Sequence, residues 1–305
     1  LKVLITERTN LNEKMLKEAF AIVTNPDEAD YIISQSTVYY PDLLYKTIYV
    51  ACEAPRADHR IWCYSNFDNF LYVFCHNPDL SKPNQFPLNS EDKAQFYPSR
   101  PNPYPFVTRE DTTIRNRGVF YAGLINFFED SPDAHGGTNL TRLRPILGNL
   151  NLQEFPGSIT KGIGWFGQTT KPDLWRSQTK PNAIQESDCD FVLAMENTMY
   201  PNYLYEKIWD AFACDRVALY LGDPRIEYHI PLDCFVDLRP MFDRETRKID
   251  IKKYKDTIIN MTQEEYDRIL NNARKFRETC IGEHVRLMNQ VTQLIIDKIK
   301  EDPLK

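Results

Sequence analysis

Short apolar runs separated by polar punctuation dominate the first hundred residues. Lys2-Val-Leu-Ile-Thr6 has the length and content of a buried strand, and Leu11, Met15, Leu16 and Phe20 behind it predict a helix capped by Asn10 or Asn12. Tyr31-Ile-Ile-Ser34, Thr47-Ile-Tyr-Val-Ala51 and Phe70-Leu-Tyr-Val-Phe74 are β-branched or aromatic and bounded by Asp, Asn or Pro, as strands of one sheet would be. Pro78, Pro83, Pro87, Pro98, Pro101, Pro103 and Pro105 then crowd residues 77–106, which predicts a loop and linker. The alternation restarts with a strand at Gly118–Leu124 and a helix over Thr138–Leu150 interrupted near Pro145. Asp190-Phe-Val-Leu-Ala-Met195, a helix from about Tyr203 to Cys214 and Val217-Ala-Leu-Tyr-Leu221 together have the length of a βαβ unit, the signature of a parallel sheet. Ile281, Val285, Met288, Val291, Ile295 and Ile299 recur at three and four residues and predict a closing amphipathic helix.

The pattern therefore reads as two α/β domains, 1–110 and 111–280, with a helix over 281–305 packing across them. Composition agrees with a globular chain: of 305 residues, 42% are apolar and 26% charged. A net charge of -6 gives no general attraction to a phosphate backbone, so nucleic acid is not an expected partner and small-molecule chemistry is. No run reaches the roughly 18 apolar residues of a membrane helix, so membrane association is expected only through a segment outside this sequence. The seven cysteines are scattered without a C-x-x-C pair, which predicts buried thiols, no zinc site and a reducing compartment such as the cytoplasm. The Golgi lumen is the alternative were an N-terminal anchor removed, and only then would the sequons at Asn139 and Asn260 matter.

Several motifs fail their own context. Gly162-Ile-Gly-Trp-Phe-Gly167 has dinucleotide-fingerprint spacing but neither a strand before it nor a helix after it. Asp188-Cys-Asp190 imitates a metal-binding D-x-D, yet it enters a strand rather than leaving one, so it predicts a solvated strand entrance and no metal site. The five histidines form no zinc motif, and no G-x-S-x-G elbow occurs.

The chemistry concentrates where Phe191–Met195 ends. Glu196 and Asn197 leave the strand, and a short turn leads into a helix that Asn202 could cap, with Lys207 in its first turns. Ligands gather at such strand ends, and the free N–H groups of a helix start suit a diphosphate. Glu206 and Lys207, being adjacent, are expected to point apart, while Leu204, Ile208 and Phe212 form the buried stripe.

Glu196-Asn-Thr198, then Tyr203-Leu-Tyr-Glu-Lys207, then Gly222 and Pro224 resemble the donor signature of the α-1,3/4-fucosyltransferase family. The sequence departs from it at Tyr205, where the family has Thr. Thr138–Arg144 resembles the family's basic helix start, with Arg142 the better match and Arg144 the alternative, and Gly157–Gly167 echoes its glycine-rich segment. Tyr49-Val-Ala-Cys-Glu53 followed by Asn66-Phe-Asp68 resembles the segment of the proposed catalytic carboxylate, although Cys52 and Ala54 replace Gly and Asn.

The resemblance implies two Rossmann-like domains facing a cleft, the GT-B glycosyltransferase architecture. It implies inverting transfer of L-fucose from GDP-fucose to a hydroxyl of an oligosaccharide or glycoconjugate, with no cofactor beyond the nucleotide sugar. Glu53 would be the general base, and Lys207 and Arg142 would stabilise the departing diphosphate. Glu196 and Asn197 would orient sugar or ribose hydroxyls, Tyr203 would line the donor pocket with Gly222 beside it, and Glu206 would fix the ribose or the sugar. The alternatives are a transferase of the same fold with another nucleotide sugar, or a glycan-binding protein without catalysis.

Overall fold

The computed structural model describes residues 1–6, 11–35, 38, 40–51, 63, 65–75, 78–87, 106–122, 136–161, 179–204, 206–280 and 283–302. Glu53, Tyr205, Cys52 and the Gly162–Gly167 motif lie outside the described residues. In chain order the first region carries β1 (Lys2–Ile5), α1 (Glu13–Ala19), β2 (Ala21–Val23), β3 (Tyr31–Gln35), β4 (Thr47–Ala51), β5 (Tyr72–Cys75) and β6 (Gln85–Pro87). The second carries β7 (Val119–Ala122), β8 (Thr138–Asn139), α2 (Leu143–Glu154), β9 (Ile159–Lys161), α3 (Thr179–Gln185), β10 (Phe191–Met195), β11 (Thr198–Met199), α4 (Glu206–Ala213), β12 (Val217–Leu221) and β13 (Val236–Asp237). A hairpin of β14 (Phe242–Asp243) and β15 (Lys248–Ile249) and the helices α5 (Ile251–Ile259), α6 (Gln263–Thr279) and α7 (Glu283–Glu301) complete it.

The first sheet is parallel throughout, in the order β2-β1-β3-β4-β5-β6. Its strands are apolar on both faces because both are covered. Val3, Ile33, Ile48, Val50 and Phe74 point to one side, where Leu16 of α1 and Val291, Ile295, Ile296 and Ile299 of α7 close the core. Tyr49, Ala51 and Val73 point to the other, against Leu44, Phe67 and Phe70. Asn12 caps α1, its Oδ1 accepting the Met15 N–H at 3.2 Å, and its amide donates to Asn289 of α7 at 2.8 Å. Residues 77–106, expected to be loop, contribute β6: Pro87 opposite Cys75 sits on the sheet's edge, where its missing N–H costs nothing.

The second sheet is also parallel, β13-β12-β10-β7-β9, and the expected βαβ unit is its centre. One face packs on α2, α5 and α6 through Leu147, Tyr254 and Tyr266, the other on α4 through Ile208 and Phe212. Pro145 does not interrupt α2. It lies in the first turn, where a backbone N–H has no helical partner, so the helix runs on to Glu154, while Thr138 and Asn139 form a strand instead. Asp190 is not a solvated strand entrance: it is 1% exposed, and its Oδ2 accepts the N–H groups of Arg115, Asn116 and Arg117 at 3.2, 3.1 and 2.8 Å, holding the chain that enters β7. Among the described residues no helix is long and apolar enough to cross a membrane.

Candidate active site

Three local devices bring the candidate side chains to the carboxyl ends of β10 and β12. The Glu196 backbone N–H continues the ladder to Leu221 O at 2.8 Å, so Glu196 leaves β10 still held by β12. The next residues pair back, Thr198 opposite Asn139 and Met199 opposite Thr138 in the antiparallel β8–β11 pair, with Leu140 N–H on Asn197 O at 3.0 Å. That pairing docks the start of α2 on the Glu196–Asn197 turn. Finally, Gly222 allows Tyr220 and Glu196 to meet: a Cβ there would stand 2.4 Å from the tyrosine oxygen and 2.5 Å from Glu196 Cγ.

The result is a buried cluster of opposite charges. Lys207 Nζ donates to Glu196 Oε2 at 2.8 Å, with Glu206 Oε1 3.8 Å away, and the Glu196 side chain is wholly buried. Burial on its own pulls the Lys207 pKa down, but the charges of Glu196 and Glu206 outweigh it and raise the pKa above that of an ordinary lysine. Arg144, also buried, donates through a terminal guanidinium nitrogen to Asn197 Oδ1. Tyr121, fully buried nearby, is raised by desolvation against the opposing pull of the Arg144 and Lys207 charges. Tyr220 is raised strongly, first by burial and then by the charges of Glu196 and Asp223.

Glu196, Asn197, Glu206, Lys207 and Gly222 thus come together as one constellation. Arg142 does not join it. It is the N-cap residue of α2 with an exposed side chain, whereas Arg144, two positions on and so on the opposite side of the helix, faces inward. Asn202 does not cap α4, which begins at Glu206; it stands in the turn with φ 59°. Glu206 and Lys207 converge rather than point apart because the long lysine stem reaches back to the carboxylates. Tyr203 is fully buried in one cluster with Tyr49, Phe67 and Phe70 of the first region. The helix has no solvated face either, for Lys207 through Ala213 are all buried, Trp209 stacking on Phe276 of α6 at 6.0 Å. Sequence reasoning missed Tyr220 and Tyr121, whose place in the site comes only from the strand register that points them at it.

Compared with known families, residues 159–264 match the model described as glycosyltransferase family 10 (fucosyltransferase) C-term. No curated protein matches the chain by sequence. Among solved structures, the fold is similar to a crystal structure of α1,3-fucosyltransferase with GDP-fucose, at a TM-score of 0.55 and 15% identity, and to one with GDP at 0.53 and 14%; in both, the match covers 88% of this chain and 81% of the other. The segment that carries Glu196, Asn197, Glu206, Lys207 and Gly222 therefore lies within the stretch that matches the C-terminal domain of the fucosyltransferase family, and the chain is a glycosyltransferase.

Proposed function

We propose that the chain transfers L-fucose from GDP-fucose to a hydroxyl of an oligosaccharide or glycoconjugate, with inversion, between two Rossmann-like domains that face a cleft. The observation that carries this reading is the Lys207 ammonium, buried and ion-paired at the start of α4 with Arg144 beside it, inside or next to the family-matched segment. Departure of a nucleoside diphosphate concentrates negative charge on the leaving oxygen. Cations already fixed by carboxylate and amide partners stabilise it without reorganising during the reaction. Asn197 and Glu206 are assigned to donor hydroxyls, and Glu196 to holding Lys207. Glu53, outside the described residues, is assigned as the general base that takes the acceptor proton as its oxygen attacks the anomeric carbon.

Calorimetry of the full chain with GDP-fucose in the presence of chelator tests the reading, and saturable binding is expected. Lys207→Ala is expected to lower transfer by about a hundred- to a thousandfold. No association with GDP-fucose or GDP would overturn the proposal. Binding of another sugar nucleotide in preference to GDP-fucose would replace the donor, the outcome to which the Tyr205 departure from the family pattern points.

A further inference from the structure

The reading above leaves three polar residues at the carboxyl end of β12 unused. Asp223 is fully buried; its Oδ1 accepts the Arg225 backbone N–H at 2.8 Å, and its Oδ2 has no hydrogen bond. His229 is 5% exposed, follows the short 3-10 turn Ile226–Tyr228, and places Nε2 3.2 Å from Asn202 Oδ1 and 3.5 Å from Asp223 Oδ2. With oxygens on both sides, Nε2 is the ring nitrogen that carries a proton, and it donates to Asn202.

Asn202 stands in an uncommon backbone conformation. Its φ of 59° lies in the left-handed region, which asparagine tolerates better than most residues but still enters at a cost. On the other side of the same turn, Tyr200 and Tyr203 are buried against Tyr49, Phe67 and Phe70. The turn is gripped from two directions, and α4, whose second residue is Lys207, begins at Glu206 shortly after it.

We propose that His229 is a positioning residue for the donor site. It holds Asn202 in its left-handed conformation, which sets where α4 begins and therefore where the Lys207 ammonium stands. This rests on the reading that Lys207 meets a nucleoside diphosphate, although His229 itself touches neither Lys207 nor Glu196.

The test measures GDP affinity by calorimetry, and KM and kcat for GDP-fucose, in the full chain and in His229→Ala, His229→Gln and Asn202→Gly. His229→Ala is expected to raise the GDP Kd and the KM about tenfold, as loss of one buried hydrogen bond does, with kcat changing less. His229→Gln, whose amide can still donate to Asn202, is expected to recover most of the affinity. Asn202→Gly accepts the backbone angle but not the bond, so it should weaken binding, and adding His229→Ala to it should weaken binding no further. A purely structural role lowers the melting temperature and leaves Kd and KM of the folded protein unchanged; that result in His229→Ala, or in Asn202→Gly if the alanine variant fails to fold, overturns the proposal. If the unsubstituted chain binds no GDP, the donor reading itself falls, a failure that its own control measurement identifies.

Discussion

Lys207 keeps its charge in surroundings that would otherwise remove it. Desolvation favours the neutral amine, and Glu196 and Glu206 reverse the balance, leaving the pKa raised. A raised folded-state value means that the ion pair contributes its stability fully below the pKa lysine has in the unfolded chain, and loses it as pH climbs through the folded value. Glu196→Gln removes the nearer counter-charge, so Lys207 should lose its proton at lower pH than in the unsubstituted chain. A pH titration of GDP binding checks this: the alkaline loss of affinity is expected to move toward neutral pH, and superimposable profiles would contradict the pairing. The two arginines of α2 separate as sharply. Arg144→Ala is expected to weaken GDP binding roughly ten- to a hundredfold, the size of a lost charge-assisted hydrogen bond, while Arg142→Ala leaves it nearly unchanged. Spacing alone could not choose between them. The motif places a basic residue near a helix start, but which side chain turns inward depends on the helix beginning at Leu143 rather than several residues earlier.

At the scale of elements, β1, β3, β4 and β5 were readable because each is a short, largely buried apolar run, and the unit Phe191–Leu221 was readable because its spacing matches its topology. The strand β6 was hidden by Pro87, which argues against a central strand but not against an edge. The start of α4 was misplaced because Tyr203 and Leu204 are as apolar as a helix stripe, yet Tyr203 packs away from the helix against the first sheet. The last helix, α7, has specific partners. Ile295 is fully buried in the core between α1 and the first sheet. Ile295→Ala should therefore cost about 2–5 kcal/mol, read as a lower midpoint in urea denaturation. A loss under 0.5 kcal/mol would show that α7 is not part of that core.

In the whole molecule, the last helix returns to the first sheet. Val291, Ile295, Ile296 and Ile299 complete a core whose other fully buried members, among the described residues, all precede residue 75. Residues 1–110 expressed alone are expected to unfold without cooperativity, and joining residues 283–301 to them by a flexible linker to restore a single transition followed by circular dichroism. Cooperative unfolding of the unjoined fragment would sink this view. Tyr200 and Tyr203 add a second tie, since they belong to the chain of the second sheet but are buried with Tyr49 and Ala51 of β4. The end of β4 and the turn before α4 thereby share one buried cluster.

The return of α7 also bears on how the polypeptide matures during translation. Domains ordinarily fold in the order in which they leave the ribosome. Here the face that carries Val3, Ile33 and Phe74 is covered only in part, by Leu16 and Phe20, until the helix made some two hundred residues later arrives. The second sheet can assemble earlier than the first, and the nascent N-terminal strands are the stretch a chaperone would have to guard meanwhile.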